Sequence, residues 1–288
     1  MNLALATVSK VLKFSCVDGP GNRLVLFLQG CNFACPSCHN PHTINLCNHC
    51  GDCVPTCPTG ALTMVEGKVL HDASICSQCD KCLDVCPINA NPKVTQYSVD
   101  DVLALVRKNK PFLNGITVSG GEATTQLKFI IALFTAIKAD KTLHDLTCFI
   151  DSNGHLPEAA WKSVLPVTDG VMLDIKAFDR ALHVKLTGRS NERVLASARQ
   201  LFEAGKLHEL RYLLIPERTD GQQELKQLFE FVRELDVDLK LRLNAFQHHG
   251  VKGGALKWPT MKKADVERIA QDLKARGLKN VVTPSVYI

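Results

Sequence analysis

Residues 23–40 read RLVLFLQGCNFACPSCHN and contain the two features that decide the fold. The stretch opens with an apolar run, Arg23–Leu28, which has the length and composition of a buried β-strand. It continues with Cys31, Cys35 and Cys38, spaced as Cys-x-x-x-Cys-x-x-Cys. Because barrels of parallel strands place their reactive groups just beyond the strand ends, this order predicts a metal site at the end of a strand.

Five further apolar runs of strand type follow, and helical patterns alternate with them. The predicted strands are residues 115–119, 146–151, 170–175, 210–215 and 239–244. Helices are predicted between them, for example at residues 126–139 and 222–235, where apolar residues recur at helical spacing. Alternating strands and helices are typical of a parallel sheet. We therefore predict an α/β fold, a partial (β/α)6 barrel.

Polar residues and glycines follow the predicted strand ends. They are Cys31 after the first strand, Gly120, Gly121 and Glu122 after the second, residues 151–154 (DSNG) at the third, Asp174 and Lys176 at the fourth, Pro216 after the fifth, and Gln247, His248 and His249 after the sixth. Any one of them alone is more typical of a turn or a helix cap. Their shared position beside a cysteine motif favours a single site.

Residues 46–92 are predicted to form an inserted domain within a main domain of residues 1–45 and 93–288. The insert repeats the spacing Cys-x-x-Cys-x-x-Cys-x-x-x-Cys-Pro, which is typical of bacterial two-cluster ferredoxins. In that pattern three cysteines of one run and the last cysteine of the other hold each 4Fe-4S cluster. The predicted ligand sets are Cys47, Cys50, Cys53 and Cys86 for the first cluster, and Cys76, Cys79, Cys82 and Cys57 for the second. A zinc ribbon is the weaker alternative because it needs only paired Cys-x-x-Cys knuckles.

Cys31, Cys35 and Cys38 supply three thiolates, whereas a closed 4Fe-4S site has four. One iron would therefore keep an open position, and an open position distinguishes catalytic metal sites from structural ones. The two remaining cysteines, Cys16 and Cys148, are interpreted as small packed side chains.

Composition favours a cytoplasmic protein without membrane or nucleic-acid partners. Thirteen cysteines, mostly clustered, indicate metal binding in a reducing compartment rather than disulfides. No run approaches the roughly 20 apolar residues that cross a bilayer, and the N-terminus lacks a signal-peptide pattern. The formal net charge is +5. Eleven thiolates around three cluster cores of about +2 each would bring the total close to zero, so charge gives no argument for nucleic-acid binding.

These motifs resemble those of the radical S-adenosylmethionine (SAM) superfamily, and within it the activating enzymes of glycyl radical enzymes. The likeness covers nearly the whole chain. It rests on residues 17–21 (VDGPG), the cysteine trio closing with residues 38–41 (CHNP), residues 119–122 (SGGE), 151–154 (DSNG) and 172–176 (MLDIK), and Arg211 followed by Tyr212. The ferredoxin-like insert narrows the resemblance to the cluster-rich branch of these enzymes.

The resemblance implies three 4Fe-4S clusters, one that binds SAM on Cys31, Cys35 and Cys38 and two accessory clusters on the insert. It implies that SAM is cleaved reductively to methionine and a 5′-deoxyadenosyl radical. The radical then takes a hydrogen atom from a glycine of a partner glycyl radical enzyme. A flavodoxin- or ferredoxin-type reductant is the implied electron donor.

Matching motifs also imply roles for residues around the cofactor. Lys176 is expected to act with the cysteine trio in catalysis. The residues expected to contact SAM are Ser37, His39, Gly120, Gly121, Glu122, Asp151, Ser152, Asp174, Ile175, Lys176, Arg211 and His249. Gln247 and His248 are alternatives to His249. A monovalent cation is expected near Asp151 and Asp174, since hard cations prefer oxygen ligands.

Two other functions explain part of the pattern. A radical SAM enzyme that modifies a small molecule or a peptide would share the trio, but such maturases tend to carry extra clusters C-terminally, whereas this insert directly follows the trio. A ferredoxin-type electron carrier explains the eight insert cysteines and leaves the trio and the strand-end residues unexplained. We therefore expect an oxidoreductase of the activating-enzyme type.

Overall fold

A computed structural model describes residues 4–284, so the predicted outer limits of the main domain, residues 1 and 288, lie outside the described residues. The described chain forms these strands: β1 Leu5–Ser15, β2 Arg23–Leu28, β3 Leu62–Val65, β4 Lys68–His71, β5 Thr95–Ser98, β6 Gly115–Gly120, β7 Thr147–Ser152, β8 Gly170–Ile175, β9 Leu207–Leu214, β10 Leu241–Ala245 and β11 Val281–Val282. Its α-helices are α1 Lys81–Asp84, α2 Val99–Asn109, α3 Leu127–Ala139, α4 Glu158–Val164, α5 Arg180–Thr187, α6 Glu192–Glu203, α7 Gln222–Leu235 and α8 Lys263–Ala275.

The chain divides into two compact units. The first contains the residues up to Asn32 together with Asn40–Leu146, and the second contains Phe33–His39 and the residues from Thr147 onward. Residues 46–92, predicted as an insert, lie wholly within the first unit.

In the first unit β2 pairs with β6 in parallel and with β1 in antiparallel orientation, and β1 also pairs antiparallel with β5. Leu24, Val25 and Leu26 are fully buried, which explains why β2 is a continuous apolar run. Arg23 is buried as well. Its guanidinium donates to the Thr117 hydroxyl at 2.6 Å and to the Ile116 carbonyl at 2.7 Å, so these N–H groups are hydrogen-bonded inside the fold.

The cysteine-rich segment of the first unit contains the antiparallel hairpin β3–β4. Its small core combines apolar and sulfur side chains: Cys53, Leu62, Val69, Cys82 and Leu83. The two ends of the segment are joined, because Asn45 forms a parallel β-bridge with Ala90 and the side-chain amide of Asn45 donates to the Ile88 carbonyl at 2.7 Å.

In the second unit β7, β8, β9, β10 and β11 pair in that order, all in parallel. The helices between them bury one face each, as shown by Leu228 and Val232 on α7, which are almost completely buried. Tyr212 of β9 is fully buried and places its hydroxyl 2.7 Å from a carboxylate oxygen of Glu224 on α7. Residues 4–284 contain no helix that combines the length and the apolar character needed to cross a membrane.

The predicted α/β fold with a mainly parallel sheet is confirmed. Strands β2 and β8 and helix α7 have the predicted bounds. The other predicted strands differ by one to three residues at their ends, the largest difference being the start of β9 at Leu207 instead of 210. The sequence analysis did not predict β1, β5, β11 or the β3–β4 hairpin.

Candidate active site and accessory cysteine sites

The turn that carries Cys31 follows β2 directly and is fixed by backbone hydrogen bonds. The amide of Gly30 donates to the Thr43 carbonyl at 2.8 Å, and the amide of Cys31 donates to the Ile44 carbonyl at 2.9 Å. Residues 30–31 therefore run against the short 3-10 helix Pro41–Thr43 and the residue that follows it.

The Gly120-Gly121-Glu122 turn packs directly on the turn that carries Cys31. Gly121 donates to the Leu28 carbonyl at 3.0 Å, and Glu122 donates to the Gly30 carbonyl at 2.8 Å. A Cβ on Gly121 would lie 2.4 Å from the Gly30 carbonyl oxygen, and one on Gly120 would lie 2.2 Å from that of Leu28. Both positions therefore require glycine. The structure brings Cys31 and this turn together; their contact with SAM stays a prediction.

The Glu122 side chain is buried, at 2% exposure. Its carboxylate accepts hydrogen bonds from the Thr124 amide at 3.0 Å and from the Thr124 hydroxyl at 2.6 Å. It thereby caps the 3-10 helix Ala123–Gln126. This residue shapes the turn through its side chain, and its backbone amide pairs with the turn that carries Cys31.

The loop of residues 33–39 belongs to the second unit and carries Cys35 and Cys38. The amide of Ala34 donates to the Thr187 carbonyl, at the end of α5, at 3.0 Å. The ring of Phe33 makes edge contacts with His155 and His183, each with centroids 5.6 Å apart. None of these anchoring residues was predicted, because their spacing in the sequence carries no signal.

Lys176 interacts electrostatically with two of the three cysteines, Cys35 and Cys38. Burial raises the pKa of the Cys35 thiol to about 11, and the nearby charge of Lys176 opposes that rise. Lys176 pairs with Asp174 at 2.7 Å. Burial opposes its charge, but Asp174 and then Cys35 outweigh burial and hold the pKa of Lys176 above its usual value. This part of the second unit therefore combines a protonated amine with two cysteine sulfurs, and positive iron would favour the thiolate form of Cys35.

His39 and the loop after β10 are in contact. Gly250 adopts a φ of +71°, and a Cβ there would lie 2.0 Å from the His39 carbonyl oxygen. Burial lowers the pKa of His39, and His249 and Lys176 lower it further. Within the described chain, the buried Nε2 of His39 has no hydrogen-bond partner. An unpaired polar atom next to Cys38 fits a site that takes a polar ligand. Ser37 in the same loop is buried.

Gln247 and His248 are engaged elsewhere in the second unit. The side-chain amide of Gln247 donates to the Met261 carbonyl, and the His248 ring contacts the Trp258 carbonyl, both at 2.8 Å. These contacts favour His249 among the three alternatives for the SAM contact, which stays a prediction.

Charged side chains converge on Arg211 of β9. Its guanidinium contacts Asp151 at 3.1 Å, the Met172 sulfur at 2.9 Å and Glu209 at 2.7 Å. Burial opposes its charge, but Asp151 and then Asp174 outweigh burial, so the pKa of Arg211 lies above its usual value. The arrangement brings the predicted residues Asp151, Asp174 and Arg211 together.

Glu209 was missed by the sequence analysis and is central to this network. It is 2% exposed and forms ion pairs with Arg211, with Lys240 at 2.7 Å and with Arg242 at 3.0 Å. Burial alone would raise its pKa, but Arg242 and Arg211 lead the groups that lower it to about 2. A carboxylate inside an apolar strand, two residues before Arg211 and therefore on the same face, was the available signal.

Two cavities in the first unit are each lined by four cysteines. The first cavity has a volume of about 280 Å³ and is lined by Cys47, Cys50, Cys53 and Cys86. The second cavity has a volume of about 310 Å³ and is lined by Cys57, Cys76, Cys79 and Cys82. This division matches the two ligand sets that the spacing predicts, including the exchanged last cysteines. Cluster binding itself stays a prediction.

The sulfurs of these cavities accept backbone hydrogen bonds, which suits thiolates. The amide of Ala90 donates to the Cys86 sulfur at 3.2 Å, and the amide of His49 donates to that of Cys47 at 3.4 Å. Across residues 4–284, no three histidine, cysteine or acidic side chains are grouped closely enough to hold a single metal ion.

Comparison with known proteins identifies the family. The model of the radical SAM superfamily matches residues 25–232. A pyruvate formate-lyase-activating enzyme of Streptococcus mutans is 33% identical over 236 residues, which cover 79% of this chain and 72% of that protein. A (2S)-3-sulfopropanediol sulfolyase activating enzyme of Bilophila wadsworthia is 36% identical over 264 residues, 84% of each chain.

A solved structure supports the fold alone. QueE from Escherichia coli superposes with a TM-score of 0.57 at 13% identity and covers 98% of this chain and 95% of its own. With the cysteine trio, the strand-end residues and the named relatives taken together, the chain belongs to the radical SAM superfamily and, within it, to the glycyl-radical-enzyme activating enzymes.

Proposed function

We propose that this chain is an oxidoreductase that cleaves SAM reductively and installs a radical on a glycine of a partner glycyl radical enzyme. The observation that carries the proposal is the spacing of Cys31, Cys35 and Cys38 in the sequence, together with the electrostatic interaction of Lys176 with Cys35 and Cys38 in the second unit. When bound, the cluster supplies one electron and SAM supplies the 5′-deoxyadenosyl radical that takes the glycine hydrogen atom. The chain itself binds and orients these groups and excludes water.

The three cysteines would hold three irons and leave the fourth for the amino and carboxylate groups of SAM. Gly120 and Gly121 would present backbone groups to the SAM amine, because no side chain intervenes. Lys176 would hold a fixed positive charge beside the SAM carboxylate, and its pairing with Asp174 keeps it protonated. His39 and His249 would border the nucleoside, supported by the unpaired Nε2 of His39.

The proposed monovalent cation would bind near Asp151 and Asp174. Both carboxylates already have cationic partners, Arg211 for Asp151 and Lys176 for Asp174. A cation would therefore share these carboxylates with the two side chains, and its oxygen ligands suit a hard ion. Ser152 and Ile175 remain predicted neighbours of the cofactor.

The two accessory cavities would each hold a 4Fe-4S cluster, which gives three clusters in total. A flavodoxin- or ferredoxin-type protein would supply electrons. Clusters and thiols of this kind persist in a reducing compartment, so we place the enzyme in the cytoplasm.

The test is an anaerobic reconstitution with iron and sulfide, followed by reduction in the presence of SAM. We expect about twelve irons per chain and release of 5′-deoxyadenosine. Cys31→Ala should abolish that release. Cys16→Ala should not, because Cys16 lies outside the trio and is exposed, so its interpretation as a packed side chain was wrong. Addition of the partner should give a glycine-centred doublet in electron paramagnetic resonance. Intact clusters without SAM cleavage would refute the proposal.

A further inference from the structure

The two accessory cavities differ in the charges that line them. Besides its four cysteines, the second cavity is lined by His71, Asp80, Lys81 and Lys93. In the first cavity, Asp52 is the one charged side chain among the lining residues. With the cysteines set aside, the formal charge of the lining is +1 for the second cavity and −1 for the first, with histidine counted as neutral.

Lys93 is the charge at the second cavity that water screens least. Its side chain is 17% exposed, whereas its ion-pair partner Asp80 is 59% exposed. The carboxylate is therefore screened by solvent more than the ammonium group is. Lys93 also interacts electrostatically with Cys82 and Cys76, both of them sulfurs of this cavity.

His71 adds an unused hydrogen-bonding group to the same cavity. Its Nε2 is buried and has no partner among the residues that the structure describes. His49 is near the first cavity but does not line it, and its Nδ1 accepts the Val69 amide at 3.1 Å. A ring N–H without a protein acceptor can donate to a sulfur of a cluster, and such bonds raise the reduction potential.

Backbone donors do not produce this asymmetry. In the first cavity, the amides of His49 and Ala90 donate to the sulfurs of Cys47 and Cys86. In the second cavity, backbone donors reach the sulfurs of Cys57 and Cys79. Both cavities therefore have backbone donors. The second cavity also has side-chain hydrogen bonds from Thr59 to Cys57 and from Ser77 to Cys79, and it differs from the first in the charge of Lys93 and the ring of His71. A positive charge near a cluster favours its reduced form, because reduction adds a negative charge.

The first cavity is also the one tied to the turn that carries Cys31. The Cys31 amide donates to Ile44, the next residue, Asn45, is bridged to Ala90, and Ala90 lines the first cavity. Neither Asn45 nor Ala90 lines the second cavity.

We propose that Lys93, assisted by His71, makes the cluster of the second cavity the more readily reduced of the two accessory clusters. This inference rests on the proposed function, in which both cavities hold 4Fe-4S clusters. A low-potential one-electron protein reductant would give up one electron, and the second cavity would hold it at equilibrium in preference to the first. The pair of cavities is then an electron store rather than a downhill relay towards Cys31.

The test is a redox titration followed by electron paramagnetic resonance. The full-length chain carries Cys31→Ala, Cys35→Ala and Cys38→Ala, so that only the accessory clusters remain. We expect two one-electron transitions. Lys93→Gln should lower the higher potential by at least a tenfold change in the reduction equilibrium, which is about 59 mV for one electron, and leave the lower one in place. His71→Phe should shift the same transition in the same direction.

Two control variants check the assignment. Lys68→Gln alters an exposed lysine of β4 that lines neither cavity, so both potentials should stay unchanged. Asp80→Asn removes the carboxylate that partly neutralises Lys93, and it should raise the higher potential. If the Lys93→Gln variant does not incorporate the cluster of the second cavity, the upward shift expected for Asp80→Asn still tests the role of Lys93.

The outcomes separate this inference from the proposed function. The variant that lacks Cys31, Cys35 and Cys38 should contain about eight irons per chain. Zinc in place of iron, or fewer irons, would contradict the proposal that the two cavities hold 4Fe-4S clusters. With both clusters loaded, the inference is overturned if Lys93→Gln moves the lower potential, moves both equally or moves neither.

Discussion

Gly121→Ala tests the close packing between the β6 turn and the turn that carries Cys31. The added Cβ would lie 2.4 Å from the Gly30 carbonyl oxygen and 2.5 Å from that of Thr43. An ordinary contact needs about 1 Å more, and both obstacles are backbone atoms, so no side chain can rotate away. The two segments must separate, which weakens the 2.8 Å bond from Glu122 to Gly30.

Overpacking of this kind typically costs about 1–3 kcal/mol. Because two carbonyls are hit and a hydrogen bond is weakened, we expect about 3 kcal/mol for Gly121→Ala. For a chain of this size that lowers the melting temperature by roughly 6–12 °C. The displaced turn carries Cys31, so we also expect the rate of 5′-deoxyadenosine release to fall by at least tenfold under conditions where the variant is folded.

The assays are anaerobic thermal unfolding, iron content and SAM cleavage of the reconstituted protein. Gly254→Ala is the matched control, because its Cβ would meet no atom within 4 Å and its φ lies outside the left-handed region. That variant should match the unchanged chain in stability within about 1 kcal/mol. If Gly121→Ala has the same melting temperature and rate as Gly254→Ala, the packing argument is wrong.

Three further predictions concern other parts of the chain. Glu209→Gln should lower the free energy of unfolding at pH 7 by about 3 kcal/mol, since the pKa of Glu209 in the folded chain lies near 2 rather than 4.5. Urea titrations should show the difference between the two chains shrink as the pH falls from about 4.5 towards 2. A difference that persists at pH 2 would contradict this prediction. Lys176→Met should weaken SAM binding about tenfold or more in equilibrium binding measurements, with the iron content unchanged. Lys185→Met, on the exposed side of α5, should leave SAM binding unchanged. Equal affinities of the two variants would show that Lys176 does not contribute to SAM binding. Ser98→Ala removes the capping box of α2 and should cost about 1 kcal/mol in thermal unfolding without changing SAM cleavage; no loss in stability would show that the cap is dispensable.

The parallel strands could be predicted because burial on both faces leaves a strong local signal. Strand β2 is a continuous apolar run that is almost entirely buried, and its bounds were predicted correctly. Strand β1 could not be predicted in the same way. Only Ala6 and Val8 are buried among its residues, so it has no continuous buried apolar run, and it pairs antiparallel with β2 and β5.

The grouping of the cysteines around the two cavities follows the repeat, with Cys57 and Cys86 exchanged between them, whereas cluster binding by these sets stays a prediction. The need for glycine at position 121 could not be predicted, since it depends on the carbonyls of Gly30 and Thr43, which are distant in sequence. The same holds for Glu209, whose three cationic partners are Arg211 on β9, Lys240 just before β10 and Arg242 on β10.

The bridge between Asn45 and Ala90 has a meaning for how such a chain could arise. The polypeptide enters the cysteine-rich segment at Asn45 and comes back beside that residue at Ala90, running in the same direction. A short splice from one side of the bridge to the other would need little displacement of the remaining backbone. A single genetic event could therefore add or remove the whole cysteine-rich segment between Asn45 and Ala90.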